Sequence, residues 1–60
     1  MTIYHIVRVS EKTFNEAAFQ LQVNVNEYLK NGYNLQGSPS IHYDKFDYVY
    51  HGYQSVVKEV

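Results

Sequence analysis

The feature that most restricts the fold of this chain is its small size without covalent support: it has 60 residues and no cysteine. A domain of this size buries only about 60% of the surface of its unfolded chain, which makes it marginally stable alone. The lack of cysteine excludes disulfides and cysteine-based zinc sites, so oligomerisation is the usual remaining support. Seven tyrosines and three phenylalanines are more than one small core can bury. We therefore expect a single domain, residues 1–60, that associates with itself.

Charge and hydropathy argue against several classes of function. The net charge is −1, with no basic cluster, which disfavours binding to duplex nucleic acid or to an anionic membrane surface. No run approaches the roughly 18 apolar residues of a membrane-spanning helix. The first residues lack the basic start and apolar core of an export signal. Together with the lack of cysteine, these features predict a cytoplasmic protein.

Three segments have the β-branched and aromatic content and the alternation of β-strands: Ile3–Ser10, Tyr33–Tyr43 and Tyr48–Lys58. In the second segment, Pro39 predicts an edge strand or a bulge, because proline has no N–H for a central ladder. In the third, Gly52 marks a bend or a place where another group approaches the backbone closely. Residues 44–47 are typical of a hairpin loop.

A helix is predicted between the first two strands, with Thr13 as its N-cap. Glu16 has the spacing of a capping box, in which its carboxylate reaches back to the amide of the cap. Asn31 and Gly32 end the helix, since glycine suits the left-handed position after the last turn. Between these signals, apolar residues recur at steps of three and four and form one buried stripe: Phe14, Ala17, Ala18, Leu21, Val25, Tyr28 and Leu29.

The order strand, helix, strand, strand predicts an α+β domain in which one helix covers one face of a three-stranded sheet. A long third strand can pair antiparallel with both others, which gives the order first, third, second. The other face also carries aromatic residues, so we expect a second subunit to pack sheet against sheet, with Tyr4 and Ile6 in the interface. Phe19 and Val23 lie opposite the apolar stripe, either as scattered exposed residues or as a further contact surface.

Five stretches distributed over most of the chain have a familiar pattern: Tyr4–Val9, Val25–Leu29, Asn31–Tyr33, Leu35–Gly37 and Tyr53–Lys58. They resemble the domain of unknown function 1737 family, whose members are short and often come from phages or bacteria. Family members typically have a Val-Asn-Glu-x-Leu helix end, a Gly-Trp pair, a Gln-Gly turn and a last strand similar to Tyr-x-Gln-Ala-Met-Val. This chain has Tyr33 in place of tryptophan, Ser55-Val56 in place of Ala-Met, and a longer segment over residues 11–19. The resemblance implies a small strand-helix-strand-strand unit without an established activity.

No group of side chains in the sequence predicts catalysis or a metal. His5, His42 and His51 fall on three different strands, and their spacing does not bring together the three or four ligands that zinc requires. Asp44 and Asp47 lie in the predicted loop, where carboxylates are usually solvated turn residues. We therefore expect a non-enzymatic protein with no cofactor and no metal.

Tyrosine is the residue type that most suggests a binding role, because its flat ring and hydroxyl group suit both planar ligands and protein interfaces. Arg8, on the same strand face as Tyr4 and Ile6, adds a forked donor for a phosphate or carboxylate. The alternative is that the tyrosines form only the core and the oligomer contact. The predicted ligand-binding residues are Arg8, Tyr33, Tyr48, Tyr50, Tyr53 and Gln54.

We expect the oligomer to bind a small anionic, nucleotide-like molecule between its subunits. In a phage protein, as the resemblance suggests, such binding would sequester a host nucleotide signal and counteract host defence. One alternative is an interaction module that blocks a host protein through an aromatic surface including Phe19 and Val23. A second alternative is a single-stranded nucleic-acid binder that stacks bases on its aromatic strands, which the neutral charge balance disfavours.

Overall fold

The computed structural model describes the whole chain, residues 1–60. Its elements are β1 (Thr2–Glu11), α1 (Phe14–Lys30), β2 (Asn34–Asp44) and β3 (Val49–Glu59). The predicted order of elements is confirmed, but the strand boundaries differ slightly: β1 is one residue longer at each end, and β2 and β3 each lie one residue later in the chain. The helix has neither the length nor the apolar character needed to cross a membrane.

β3 lies in the middle of the sheet, in the order β1-β3-β2, and pairs antiparallel with both neighbours. This is the predicted strand order. The β1–β3 register is continuous over the whole of β1, whereas the β2–β3 register shifts between Gln36 and Ser40. The shift confirms the bulge expected from Pro39. Gly37 supplies the left-handed backbone conformation inside it, with φ of +77°.

The helix begins at the predicted N-cap. The Thr13 hydroxyl accepts the Glu16 backbone N–H at 3.1 Å and donates to the Glu16 carboxylate at 2.9 Å. Glu16 therefore binds the hydroxyl of the cap and not, as predicted, its amide, because a hydroxyl that accepts one hydrogen bond still has a proton to donate. At the other end Gly32, with φ of +90°, takes the predicted left-handed position after the last turn.

The core is small and aliphatic. Ala17, Leu21 and Val25 of α1 pack on the sheet residues, which are Val7, Val9 and Val56. Gly52 leaves room for core side chains, since a Cβ at that position would lie 3.0 Å from Val9 Cγ2 and 3.4 Å from Leu21 Cδ2. The groups that approach Gly52 closely are therefore core side chains of the protein itself, first Val9 of β1 and then Leu21 of the helix.

The predicted helix stripe is buried only over its central turns. Phe14 and Leu29 are 53% and 37% exposed, because they lie in the first and last turns, beyond the core residues. Phe14 still contacts the edge of the Tyr50 ring, with ring centroids 6.1 Å apart. Phe19 and Val23 are exposed on the opposite side of the helix, as their spacing indicated.

We call the sheet face that α1 leaves uncovered the open face. Side chains alternate between the faces along each strand, and residues opposite one another in the register share a face. The open face mixes polar groups with half-exposed apolar groups such as Tyr4 and Ile6. Its central residues are Tyr4, Ile6, Arg8 and Ser10 of β1, His51, Tyr53, Ser55 and Val57 of β3, and Gln36, Ser40, His42 and Asp44 of β2.

Candidate anion-binding site on the open face

Two of the six predicted ligand-binding residues lie side by side near the centre of the open face. Arg8 of β1 is directly opposite Tyr53 of β3. Together with Val9, Ser10 and His51 they line a shallow cavity of about 300 Å³. The register of the central strand thus brings a guanidinium and an aromatic ring into one site.

The Arg8 side chain has no partner within the chain. The only ion pairs join Lys30 to Glu27 and His51 to Asp44, and Arg8 is exposed on its strand. A guanidinium offers five N–H donors in a planar fork that matches the oxygens of a phosphate or carboxylate. Arg8 is therefore free to bind an anion from solution.

Next to Arg8, a chain of hydrogen bonds crosses all three strands. The Ser10 hydroxyl lies 2.7 Å from His51 Nδ1, and His51 Nε2 lies 3.1 Å from Asp44 Oδ2. Because an ionised carboxylate only accepts, the Nε2 proton lies toward Asp44; in the neutral ring, Nδ1 then accepts the Ser10 proton. The arrangement holds the imidazole in one orientation at the border of the cavity.

Asp44 also closes the hairpin between β2 and β3. Its Oδ1 accepts the backbone N–H groups of Phe46 at 2.9 Å and of Asp47 at 3.2 Å. The hydrogen bond from His51, followed by these two backbone hydrogen bonds, lowers the pKa of Asp44 below its ordinary value of 3.8. The carboxylate therefore stays charged at neutral pH, where it orients both the turn and the histidine.

Aromatic rings and hydroxyl groups lie around the Arg8 cavity on the open face. The His42 ring lies 5.3 Å from the Tyr53 ring, centroid to centroid, at an interplanar angle of 60°. Closer to the other end of β1, the Tyr4 hydroxyl donates to Ser55 Oγ at 2.8 Å. The open face thus combines one unpaired cation with ring faces, a set of groups that suits a planar anion.

The family comparison covers almost the whole chain. The family model described as Domain of unknown function (DUF1737) matches residues 1–59. The chain belongs to this family. No curated protein and no solved structure matches it.

The other four predicted ligand-binding residues of the DUF1737 domain lie away from the Arg8 cavity. Tyr33 packs edge-on against Tyr28, 5.3 Å between ring centroids, near the end of the helix. Tyr50 is on the covered face and contacts Phe14. Tyr48 lies in the turn before β3, exposed and with φ of +57°, and so does not belong to the strand in which it was predicted.

Gln54, the last of the six, is buried at 3% exposure. Its side-chain amide donates to the carbonyl oxygens of Gln36, Gly37 and Ser55, at 3.4, 3.2 and 2.9 Å. The bulge in β2 interrupts the regular ladder there, and Gln54 supplies replacement donors. Its place in the structure is that of a bulge-stabilising residue.

Sequence reasoning missed the connection between Ser10, His51 and Asp44. From sequence alone, His51 is one of three histidines on separate strands, and Asp44 is a solvated turn residue. The missing information was the strand register, since Ser10 is directly opposite His51 in the β1–β3 pair. His42 and His51 are directly opposite each other in the β2–β3 pair, so two of the three histidines form a close pair that the sequence did not predict. No group of three or more metal-binding side chains lies together.

Proposed function

We propose that this DUF1737 domain is a non-enzymatic, homo-oligomeric binding protein that takes a small planar anion, of nucleotide-like chemistry, on its open face. The observation that supports this is the unpaired Arg8 guanidinium beside Tyr53 in one cavity. Arg8 binds two oxygens of a phosphate or carboxylate, and the neighbouring rings contact the planar part of the ligand.

The size and shape of the site favour a small ligand held between subunits. Ligand cavities usually have about 300–1,000 Å³ and bury most of the ligand, so a cavity of about 300 Å³ is at the lower limit. It lies on an open sheet surface, where one copy of the chain encloses only one side of a ligand. A second subunit would supply further contacts to the ligand. Binding without turnover would sequester the ligand, a use consistent with a phage protein that withdraws a host signal.

Thermal-shift measurements test the proposal, with nucleoside monophosphates, inorganic phosphate and a short oligothymidylate as probes. A ligand present at 100 times its Kd adds about 2.7 kcal/mol to the free energy of unfolding. One kcal/mol corresponds to roughly 4–8 °C in a domain of 60–100 residues, so such binding is easily detected. We expect a mononucleotide to raise the melting temperature of the wild type but not of Arg8→Ala.

The matched control is Lys30→Ala, which removes an exposed cation from the helix surface and should leave the shift intact. Tyr53→Leu should weaken nucleotide binding more than phosphate binding, because it removes a ring and leaves the guanidinium. An unchanged shift in Arg8→Ala, or no shift with any anion, would contradict the proposal. A response to oligothymidylate alone would favour single-stranded nucleic acid as the ligand.

A second candidate function, hydrolysis, is favoured by the Ser10–His51–Asp44 chain, which has the residue types of a catalytic triad. Binding is better supported, because acyl transfer also needs a water-excluded site with donors aimed at the developing oxyanion, and Ser10 is exposed on a sheet surface. The test is hydrolysis of p-nitrophenyl acetate above background. Turnover that disappears in Ser10→Ala would establish catalysis and contradict a purely binding role.

A further inference from the structure

The outer edge of β1 presents a regular row of unpaired backbone groups. Met1 and Val60 exchange two hydrogen bonds, with each nitrogen 2.9 Å from the other residue's carbonyl oxygen. In an antiparallel ladder, the residues that bond to the neighbouring strand alternate with residues that point away from it. Since Met1 forms a hydrogen-bonded pair with Val60, directly after β3, the residues of β1 that direct N–H and C=O outward are Thr2, Tyr4, Ile6, Arg8 and Ser10.

The two free edges of the sheet differ in their protection. β2 contains Pro39, a register shift and the left-handed Gly37, all of which hinder another strand from pairing with it. β1 has ten residues with no proline, glycine or lysine, and its register is unbroken. Proteins usually block an edge of this kind or pair it. We infer that β1 pairs antiparallel with β1 of a second copy, which makes one six-stranded sheet with both helices on the same side.

The outward groups also determine the register of this pairing. A two-fold axis at Ile6 places Ile6 opposite its own copy, Tyr4 opposite Arg8 and Thr2 opposite Ser10, so every outward N–H and C=O finds a partner. If one subunit is moved along the other by two residues in either direction, one residue at each end of the pairing has outward N–H and C=O groups without a hydrogen-bonding partner. In the Ile6 register no two like charges are directly opposite, and the two isoleucines form an apolar centre.

This pairing completes the proposed anion site, and to that extent the inference rests on the proposed function. Arg8 then lies between Tyr53 of its own subunit and Tyr4 of the partner subunit, with Cα atoms of the new pair about 5.5 Å apart. Packing the open faces against each other, as first expected, would instead bury the unpaired Arg8 together with the other polar groups of that face. Edge pairing leaves this face accessible to a ligand.

Cysteine cross-linking tests the pairing and its register in the otherwise unaltered chain. Directly opposite cysteines fall within the Cα separation of 4.4–6.8 Å that disulfides require. Under mild oxidation, Ile6→Cys should therefore form a disulfide-linked dimer. Tyr4→Cys alone and Arg8→Cys alone should not, since equivalent residues lie roughly 14 Å apart at about 3.4 Å per residue. An equal mixture of the two variants should give the heterodimer, and Phe19→Cys on the helix surface is the matched control.

Light scattering of the unmodified chain should show a dimer, and Ile6→Lys should reduce it to a folded monomer, because two ammonium groups would meet at the axis. A monomeric wild type at high micromolar concentration would overturn the inference, as would cross-linking confined to Phe19→Cys. The result is separate from the proposed function: cross-linking without any anion-induced thermal shift would retain the edge pairing and reject the ligand. A thermal shift that Arg8→Ala abolishes, together with the absence of cross-linking, would retain the ligand and reject the edge pairing.

Discussion

The two faces of the sheet use alternate residues of the same strands but are stabilised in different ways. On the covered face, small aliphatic side chains such as Val7, Val9 and Val56 are removed from water by the helix. On the open face, Ser10 and His51 lie among groups that hydrogen-bond to one another in contact with solvent. The difference indicates that folding energy comes mainly from the covered face. The open face is then free to carry an unpaired charge at little cost in stability.

The largest expected effect is on the covered face, at Leu21. This side chain is 5% exposed and packs against the sheet at Gly52. A buried Leu→Ala change costs about 2–5 kcal/mol, and a 60-residue domain has a total free energy of unfolding on the order of 3–9 kcal/mol. Leu21→Ala should therefore lose much of its fold, which urea denaturation followed by circular dichroism at fixed protein concentration measures.

Val23→Ala is the matched control, because Val23 lies on the same helix, two residues away, and is 39% exposed. It should shift the urea midpoint only slightly. Equal losses in the two variants would mean that the outer face of the helix is as well packed as the inner one, which would remove the contrast between the faces.

Much of this fold could be predicted from residues whose effects are local. Thr13 and Gly32 mark the ends of the helix through capping geometry. Pro39 predicts the bulge because it lacks an N–H, and the strand order follows from the length of the third strand. These features depend on a few neighbouring residues or on connection length, and sequence patterns report both.

The site was harder to predict because it depends on register. A loop at residues 44–47 would place His42 opposite Val49, whereas the observed turn lies one residue later and places His42 opposite His51. The cause is Asp44, whose side chain accepts two backbone N–H groups of the turn. Asp44 is therefore the last residue of β2, directly before the turn, and does not belong to the loop. A one-residue change in the loop moves the pairing by two residues, which is enough to separate or join a set of functional side chains.

A smaller effect is expected at Gln54, where a covered-face residue has a polar role. Gln54→Leu keeps the side-chain size but removes the donors to Gln36 and Gly37. A hydrogen bond contributes about 0.5–1.5 kcal/mol net, and we expect a loss of about this size. Relative to the wild type, Gln54→Leu should accelerate backbone hydrogen exchange more in β2 than in β1. Gln22→Leu, at an exposed helix position, should change neither quantity, and uniform acceleration over the whole sheet would contradict a role limited to the bulge.

On the open face, Asp44 predicts an effect of pH. Its pKa is lowered in the folded state, chiefly by the hydrogen bond from His51, so the unfolded chain binds a proton more readily. The stabilisation is fully present above the ordinary value of 3.8 and is lost as the pH falls through the lower, folded-state pKa. Urea midpoints of wild type and Asp44→Asn should therefore differ at pH 6 and converge toward pH 2. A difference that is independent of pH would contradict this assignment.

The smallest effect on stability is expected at Phe19, which belongs to neither face of the sheet. Phe19 is 65% exposed on the outer side of the helix, and exposed substitutions usually change stability by less than about 0.5 kcal/mol. Phe19→Asp should keep the urea midpoint and, if β1 forms the subunit contact, the molecular mass in light scattering. A fall to the monomer mass would identify the outer helix surface as the subunit contact. The open face would then lose the partner tyrosine that edge pairing brings to Arg8.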